Sequence, residues 1–174
     1  MFVLGIDPGL SRCGYGCVRS QAGHTSAVAA GVITTPITES VPSRLATLRE
    51  ELHELVSELH PDVVVVERVF FQTNARTAMS VGQASGVAML TAVELGCDVV
   101  EYTSNEVKLA VTGFGGATKD QVQRMVARLL NLDTVPEPAD AADALALALC
   151  HLSTAPWARL GPATPGSEAE LARP

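Results

Sequence analysis

The sequence predicts an α/β fold, a mixed five-stranded sheet flanked by helices. Three observations carry that expectation. The first three apolar runs are joined by short turns, which makes an antiparallel meander. Residues 63–66 (VVVV) form an unbroken β-branched run, the pattern of a parallel strand buried on both faces. After that run, strand-like and helix-like segments alternate, as in sheets that carry helices on their faces.

Each element can be read in turn. Residues 2–6 (FVLGI) form a buried strand stopped by the turn Asp7-Pro8-Gly9. Residues 12–19 (RCGYGCVR) and 27–34 (AVAAGVIT) form two more strands around a turn at 21–24 (QAGH). Ser43 opens a helix in which Leu45, Leu48, Leu52, Leu55, Val56 and Leu59 fall at helical spacing. Pro61 stops it, and the strand at 63–66 ends in Glu67. Residues 74–95 form a long, weakly polar helix. Its stripe of Ala78, Gly82, Ser85 and Met89 allows another helix to approach closely. Residues 98–102 (DVVEY) are the fifth strand. Thr103 and Ser104 precede Glu106 in a capping arrangement for a short helix that carries Lys108. The glycine-rich loop 112–117 (TGFGGA) is expected to be flexible, and Thr118 with Gln121 fits a capping box for the next helix. Pro138 suits the first turn of a last helix, running from Ala139 to about Leu152. That helix is apolar nearly all round, so it belongs in the core. The domain spans residues 1–153. Residues 154–174 hold Pro156, Gly161, Pro162, Pro165 and Gly166 with little apolar periodicity, the pattern of a disordered tail.

Composition narrows the class. A chain of 174 residues, 47% of them hydrophobic, builds a core without disulfides or a structural metal. The N-terminal run lacks the form of a signal peptide, and no apolar run is long enough for a membrane span, so a cytoplasmic protein is expected. Cys13, Cys17, Cys97 and Cys150 form no CxxC pair and have no histidine at zinc-ligand spacing; they read as buried free thiols. The net charge of −7 argues against a protein that coats nucleic acid, but local charge decides the function.

Asp7 and Glu67 each end an apolar strand, the edge at which α/β sheets bind ligands. Asp140 and Asp143 lie three apart on the last helix and share a face. Acids at that spacing are normally solvated, but this helix is mostly Ala and Leu, and buried charges need partners. No local run of Lys or Arg supplies them. Converging carboxylates raise their pKa values or recruit cations. An all-oxygen donor set favours Mg²⁺ or Mn²⁺, and a two-ion site of that kind serves phosphodiester hydrolysis.

The segments 5–16 (GIDPGLSRCGYG), 64–89, 102–126 and 139–149 (ADAADALALAL) resemble the bacterial RuvC family of Holliday junction resolvases, in order across residues 1–153. The resemblance implies a ribonuclease-H-like fold, a homodimer, and paired symmetric nicks at a four-way DNA junction. It implies Asp7, Glu67, Asp140 and Asp143 as metal-holding carboxylates, with Mg²⁺ or Mn²⁺, two ions per site. Phe70 matches the family aromatic that stacks at the junction. Lys108 and Lys119, the only lysines of the chain, match its basic DNA contacts. Arg76, Arg124 and Arg128 are further backbone-contact candidates, and the 78–89 stripe resembles the dimer helix. His151 reads as a helix-end residue. The RuvA–RuvB branch-migration complex is the protein partner implied.

Three other readings compete. GIDPG before a meander also resembles the first phosphate loop of actin-like ATPases and sugar kinases, but the chain is too short for their second lobe. A non-catalytic DNA-structure-binding module would not need all four acids. A ribonuclease-H-like enzyme acting on RNA or single strands is the main rival.

Overall fold

In the computed structural model, residues 1–68 and 75–158 are described, without the side chains of 75–77 and 156–158. The first two strands, β1 (Phe2–Asp7) and β2 (Arg12–Gln21), are followed by β3 (His24–Thr34) and helix α1 (Val41–Leu59). Then come β4 (Val63–Glu67), α2 (Ala75–Glu94), β5 (Asp98–Tyr102), α3 (Ser104–Thr112), α4 (Lys119–Leu129) and α5 (Ala139–Ala158). The five strands lie in the order β3-β2-β1-β4-β5. The meander is antiparallel, and β1–β4 and β4–β5 are parallel. This is the mixed sheet that the sequence predicts.

The β2–β3 hairpin is longer than expected because Gln21 pairs directly with His24. Ala22 and Gly23, both at positive φ (52° and 79°), make a two-residue turn whose twist matches that of the strands. Helix α1 starts earlier than Ser43: Ser40 is its N-cap, accepting from the Ser43 amide, and Pro42 fits the first turn. Both predicted capping boxes are present, at Thr103/Glu106 and Thr118/Gln121. Helix α5 continues past Leu152 to Ala158, and residues 159–174 of the expected tail lie outside the described residues.

Alternation along the strands builds two core layers. Leu4, Ile6, Val64 and Val66 pack with Leu48, Leu52, Ala84 and Ala88 of α1 and α2. Val3, Val63 and Val65 pack on the other face with Val107, Val126 and Leu145 of α3, α4 and α5. The same parity puts Asp7 and Glu67 on the α5 face. Pairing of Ile6 with Val66 brings the two acids side by side at the ends of parallel strands.

Helix α5 lies against bare strand backbone. A Cβ on Gly5 would sit 2.0 Å from the Ala144 carbonyl oxygen, and one on Gly14 would sit 2.2 Å from that of Asp140. Gly14 pairs with Asp7 across the ladder, so the close approach is what sets Asp140 beside Asp7. Gly14→Ala is expected to cost about 1–3 kcal/mol, the usual range for overpacking a filled site. Thermal melting beside the wild type checks this. A Gly14→Ala protein melting like the wild type would contradict the close fit.

All four cysteines are free, with Cys97 only half-buried and the others buried. Burial pushes the thiols of Cys13, Cys17 and Cys150 up to about 12. These three stay protonated, and burial, expected for all four, holds for them but not for Cys97. No helix among the described residues is long and apolar enough to cross a membrane.

Candidate active site

A cleft of about 390 Å³ opens at the strand ends, lined by Asp7, Glu67, Ser104, Lys108, Lys119 and Asp143, with Val107, Val122, Ala146 and Leu147 as its apolar wall. Five elements deliver its polar groups: β1, β4, α3, α4 and α5. Three of the four predicted acids therefore share one cleft. The fourth, Asp140, stands at its edge and turns to Arg12, which reaches one carboxylate oxygen through both Nε (3.0 Å) and Nη2 (2.8 Å). Asp143 faces Lys119, with Nζ 2.5 Å from its carboxylate.

The electrostatics follow from this crowding. Burial, and then the charges of Glu67, Asp143 and Asp140, push the Asp7 carboxyl up to about 7, while Lys119 works in the opposite direction. Glu67 is raised by burial and by Asp143, while hydrogen bonds from Asp7 and Ser104 lower it. The Lys119 ammonium is stabilised chiefly by its hydrogen bond to Asp143. The pair Asp7–Glu67 thus holds a proton near neutral pH where a stronger cation is missing.

Such a donor set fits a hard divalent ion: every candidate ligand is a carboxylate oxygen, and the two innermost anions are under-neutralised. Among the described residues no group of three or more His, Cys, Asp or Glu side chains is poised to hold a metal as it stands. The reason is geometric. Two of the carboxylates point to Arg12 and Lys119 instead of to each other.

The other predicted residues divide. Lys108 lines the cleft from α3, half-buried. Arg124 forms an exposed ion pair with Asp120 one helical turn away (2.6 Å). Arg76 falls in α2 with its side chain outside the description, and Phe70 lies outside the described residues. His151 is not at a helix end. It is buried within α5, and its Nδ1 lies 3.1 Å from the Tyr102 hydroxyl, which also bonds Thr154 (2.8 Å).

Arg12, Ser104 and Arg44 are the residues that sequence reasoning missed. Ser104 could have been suspected, since it follows the predicted fifth strand by two residues, at the same edge of the sheet as Glu67. Arg12 could not, because its partner is 128 residues away. Arg44 is buried on α1 and donates to Thr35 (2.9 Å) and Ser11 (2.6 Å). The Thr35 hydroxyl donates in turn to the Leu10 carbonyl, so this set anchors the loop between Asp7 and Arg12.

Carboxylates gathered at the ends of parallel strands, with ammonium groups at the rim, suit cleavage of an anionic phosphodiester. Such an arrangement is of the kind a nuclease uses. Residues 3–151 match the family described as crossover junction endodeoxyribonuclease RuvC. The chain is 52% identical over 157 residues to the crossover junction endodeoxyribonuclease RuvC of Moorella thermoacetica, covering 90% of this chain and 94% of the relative. It superposes on Thermus thermophilus RuvC in complex with Holliday junction substrate with a TM-score of 0.84 at 35% identity, covering 92% of this chain and 96% of that one. The yeast mitochondrial Holliday junction resolvase shares the fold, with a TM-score of 0.60 at 15% identity over 85% of this chain and 77% of that one. The chain belongs to the RuvC family, and its sheet is of the ribonuclease-H-like type. Membership implies use of a divalent metal.

Proposed function

We propose that this protein resolves Holliday junctions in recombination and DNA repair, as a homodimeric endodeoxyribonuclease that makes paired symmetric nicks. The observation that carries the reading is the cleft itself, where Asp7, Glu67 and Asp143 meet Lys108 and Lys119. Asp7, Glu67, Asp140 and Asp143 are the residues that would hold the metal, Mg²⁺ or Mn²⁺ and two ions per site. The bound metal supplies Lewis acidity and charge neutralisation to hydrolysis of the scissile phosphodiester.

The protein's own groups do the rest. Lys108 and Lys119 meet the phosphates as mobile point charges. Lys119, at the start of α4, keeps Asp143 neutralised until a stronger cation arrives. Arg12 does the same for Asp140. Val107, Val122, Ala146 and Leu147 wall the cleft with apolar surface, which strengthens every charge interaction within it. Ser104 orients Glu67 through its hydroxyl.

A four-way junction has approximate two-fold symmetry, and a two-fold dimer presents two sites to equivalent strands. The outward face of α2 suits that role. Met79, Leu90 and Val93 are 62%, 59% and 61% exposed, and Gly82 and Gly86 lie open between them. This face is rotated from the stripe the sequence suggested, since Ser85 is buried against the core. Leu90→Glu is expected to weaken dimerisation about ten- to a hundredfold, from the loss of one buried leucine. Sedimentation checks it, and a variant that stays dimeric at the same concentrations would exclude this face. Under this reading the protein acts in the cytoplasm, and the RuvA–RuvB complex is its protein partner.

The test of the function is cleavage of a synthetic four-way junction with Mg²⁺, beside a linear duplex of the same sequence. Paired nicks in the junction alone are expected. Equal cutting of the duplex would overturn junction specificity.

A further inference from the structure

Phe114 lies in the loop that joins α3 to α4, and 64% of its surface is exposed. Exposure of one aromatic means little by itself. Its setting is what gives it meaning. The only two lysines of the chain flank this loop, Lys108 on α3 and Lys119 at the start of α4, and both line the acidic cleft.

The glycines here read as flexibility in the sequence, but the loop is tied down. Gly113 ends α3 in the left-handed region at φ 76°, and its amide bonds the Leu109 carbonyl. The Thr112 hydroxyl accepts from the Phe114 amide (3.2 Å) and lies 2.8 Å from the Lys108 carbonyl. The Ala117 amide donates to the Phe114 carbonyl (3.1 Å), and Ala117 is buried. The ring rests on Gly116, where a Cβ would fall 2.6 Å from ring atom Cζ. Phe114 is therefore an aromatic face held in place, linked through Thr112 to the turn that carries Lys108.

Phe114 does not line the cleft, but it lies six residues beyond Lys108 and five before Lys119, so a strand held by both lysines would run beside the loop that carries it. Bases stack on exposed aromatics set beside phosphate-binding cations. We propose that Phe114 is a stacking platform for a nucleobase of the DNA strand engaged at the cleft, near the scissile phosphate. This contact is separate from any made by Phe70. It rests on the cleft being the site of DNA cleavage, and it adds a residue that positions the strand.

The test uses the full chain and a four-way junction carrying 2-aminopurine beside the cut site. Binding is measured in Ca²⁺ and cutting in Mg²⁺, for wild type, Phe114→Ala, Phe114→Leu and Phe114→Trp. Wild type and Phe114→Trp are expected to quench the 2-aminopurine. Phe114→Ala is expected to lose the quenching and to bind about five- to a hundredfold more weakly, the range for one stacked base, with an unchanged melting temperature. Phe114→Leu should resemble the alanine variant in quenching. If wild type cuts the junction and Phe114→Ala matches it in affinity and quenching, the stacking role is wrong and the cleft reading stands. If Phe114→Leu performs as well as Phe114→Trp, the contact is apolar packing and the stacking role also fails. If wild type neither binds nor cuts the junction in preference to duplex, the cleft reading fails and takes this proposal with it.

Discussion

Asp7→Asn is expected to lower junction cutting about a thousandfold or more while leaving junction binding within a few-fold of wild type. If Asp7 holds the metal as proposed, its loss removes several kcal/mol of transition-state stabilisation, at about 1.4 kcal/mol per tenfold. Binding survives because the lysines, not Asp7, face the phosphates under this reading. The same substitution should stabilise the metal-free protein. The Asp7 carboxyl sits at about 7 in the folded chain against an ordinary 3.8, so folding favours its protonated form. Its contribution to stability is fully present below pH 4 and is lost as pH rises through 7. At pH 8 the cost is on the order of 2–4 kcal/mol, allowing for partial exposure. In EDTA, Asp7→Asn should therefore melt higher than wild type at pH 8, and the gap should close toward pH 4. A variant that still cuts, or melts lower than wild type at pH 8, would contradict this.

Lys119→Met is expected to reduce cutting about a hundredfold, the scale on which removing one charged or hydrogen-bonding group from a transition state is felt. Lys119 is 59% exposed at its side chain, so its ion pair with Asp143 adds little to stability. Its loss leaves Asp143 facing Asp7 and Glu67 with less opposing charge. The metal-free variant should consequently show a steeper fall in stability between pH 5 and 8, with no change of fold by circular dichroism. Unaltered cutting with a lower melting temperature would make Lys119 a structural residue only.

Much of this was legible in the chain because it depends on local pattern. The valines at 63–66 specified a strand buried on both faces, and Thr103/Glu106 and Thr118/Gln121 specified helix starts, since capping is a matter of neighbours. Asp7 and Glu67 stood out as acids ending apolar strands. Their side-by-side placement needed the β1–β4 register, which no local signal carries. The glycines of β2 were read only as part of a strand. The structure shows that Gly14 is bare so that Asp140 can approach Asp7. The role of Arg12 is not legible, because an ion pair across 128 residues has no sequence signature. The loop at Phe114 departs from its expected flexibility for a related reason. Its order comes from the Thr112 hydroxyl and the Ala117 amide, which composition alone does not reveal.

If the four acids form one metal centre as proposed, Arg12 and Lys119 must release Asp140 and Asp143 when the ion binds. Anomalous diffraction from crystals soaked in Mn²⁺ reads this out. Manganese peaks are expected bonded to Asp7 and Glu67 and to one or both of Asp140 and Asp143, with the Lys119–Asp143 pair opened. Manganese bound elsewhere, or a cleft whose two ion pairs stay closed at saturating Mn²⁺, would contradict it.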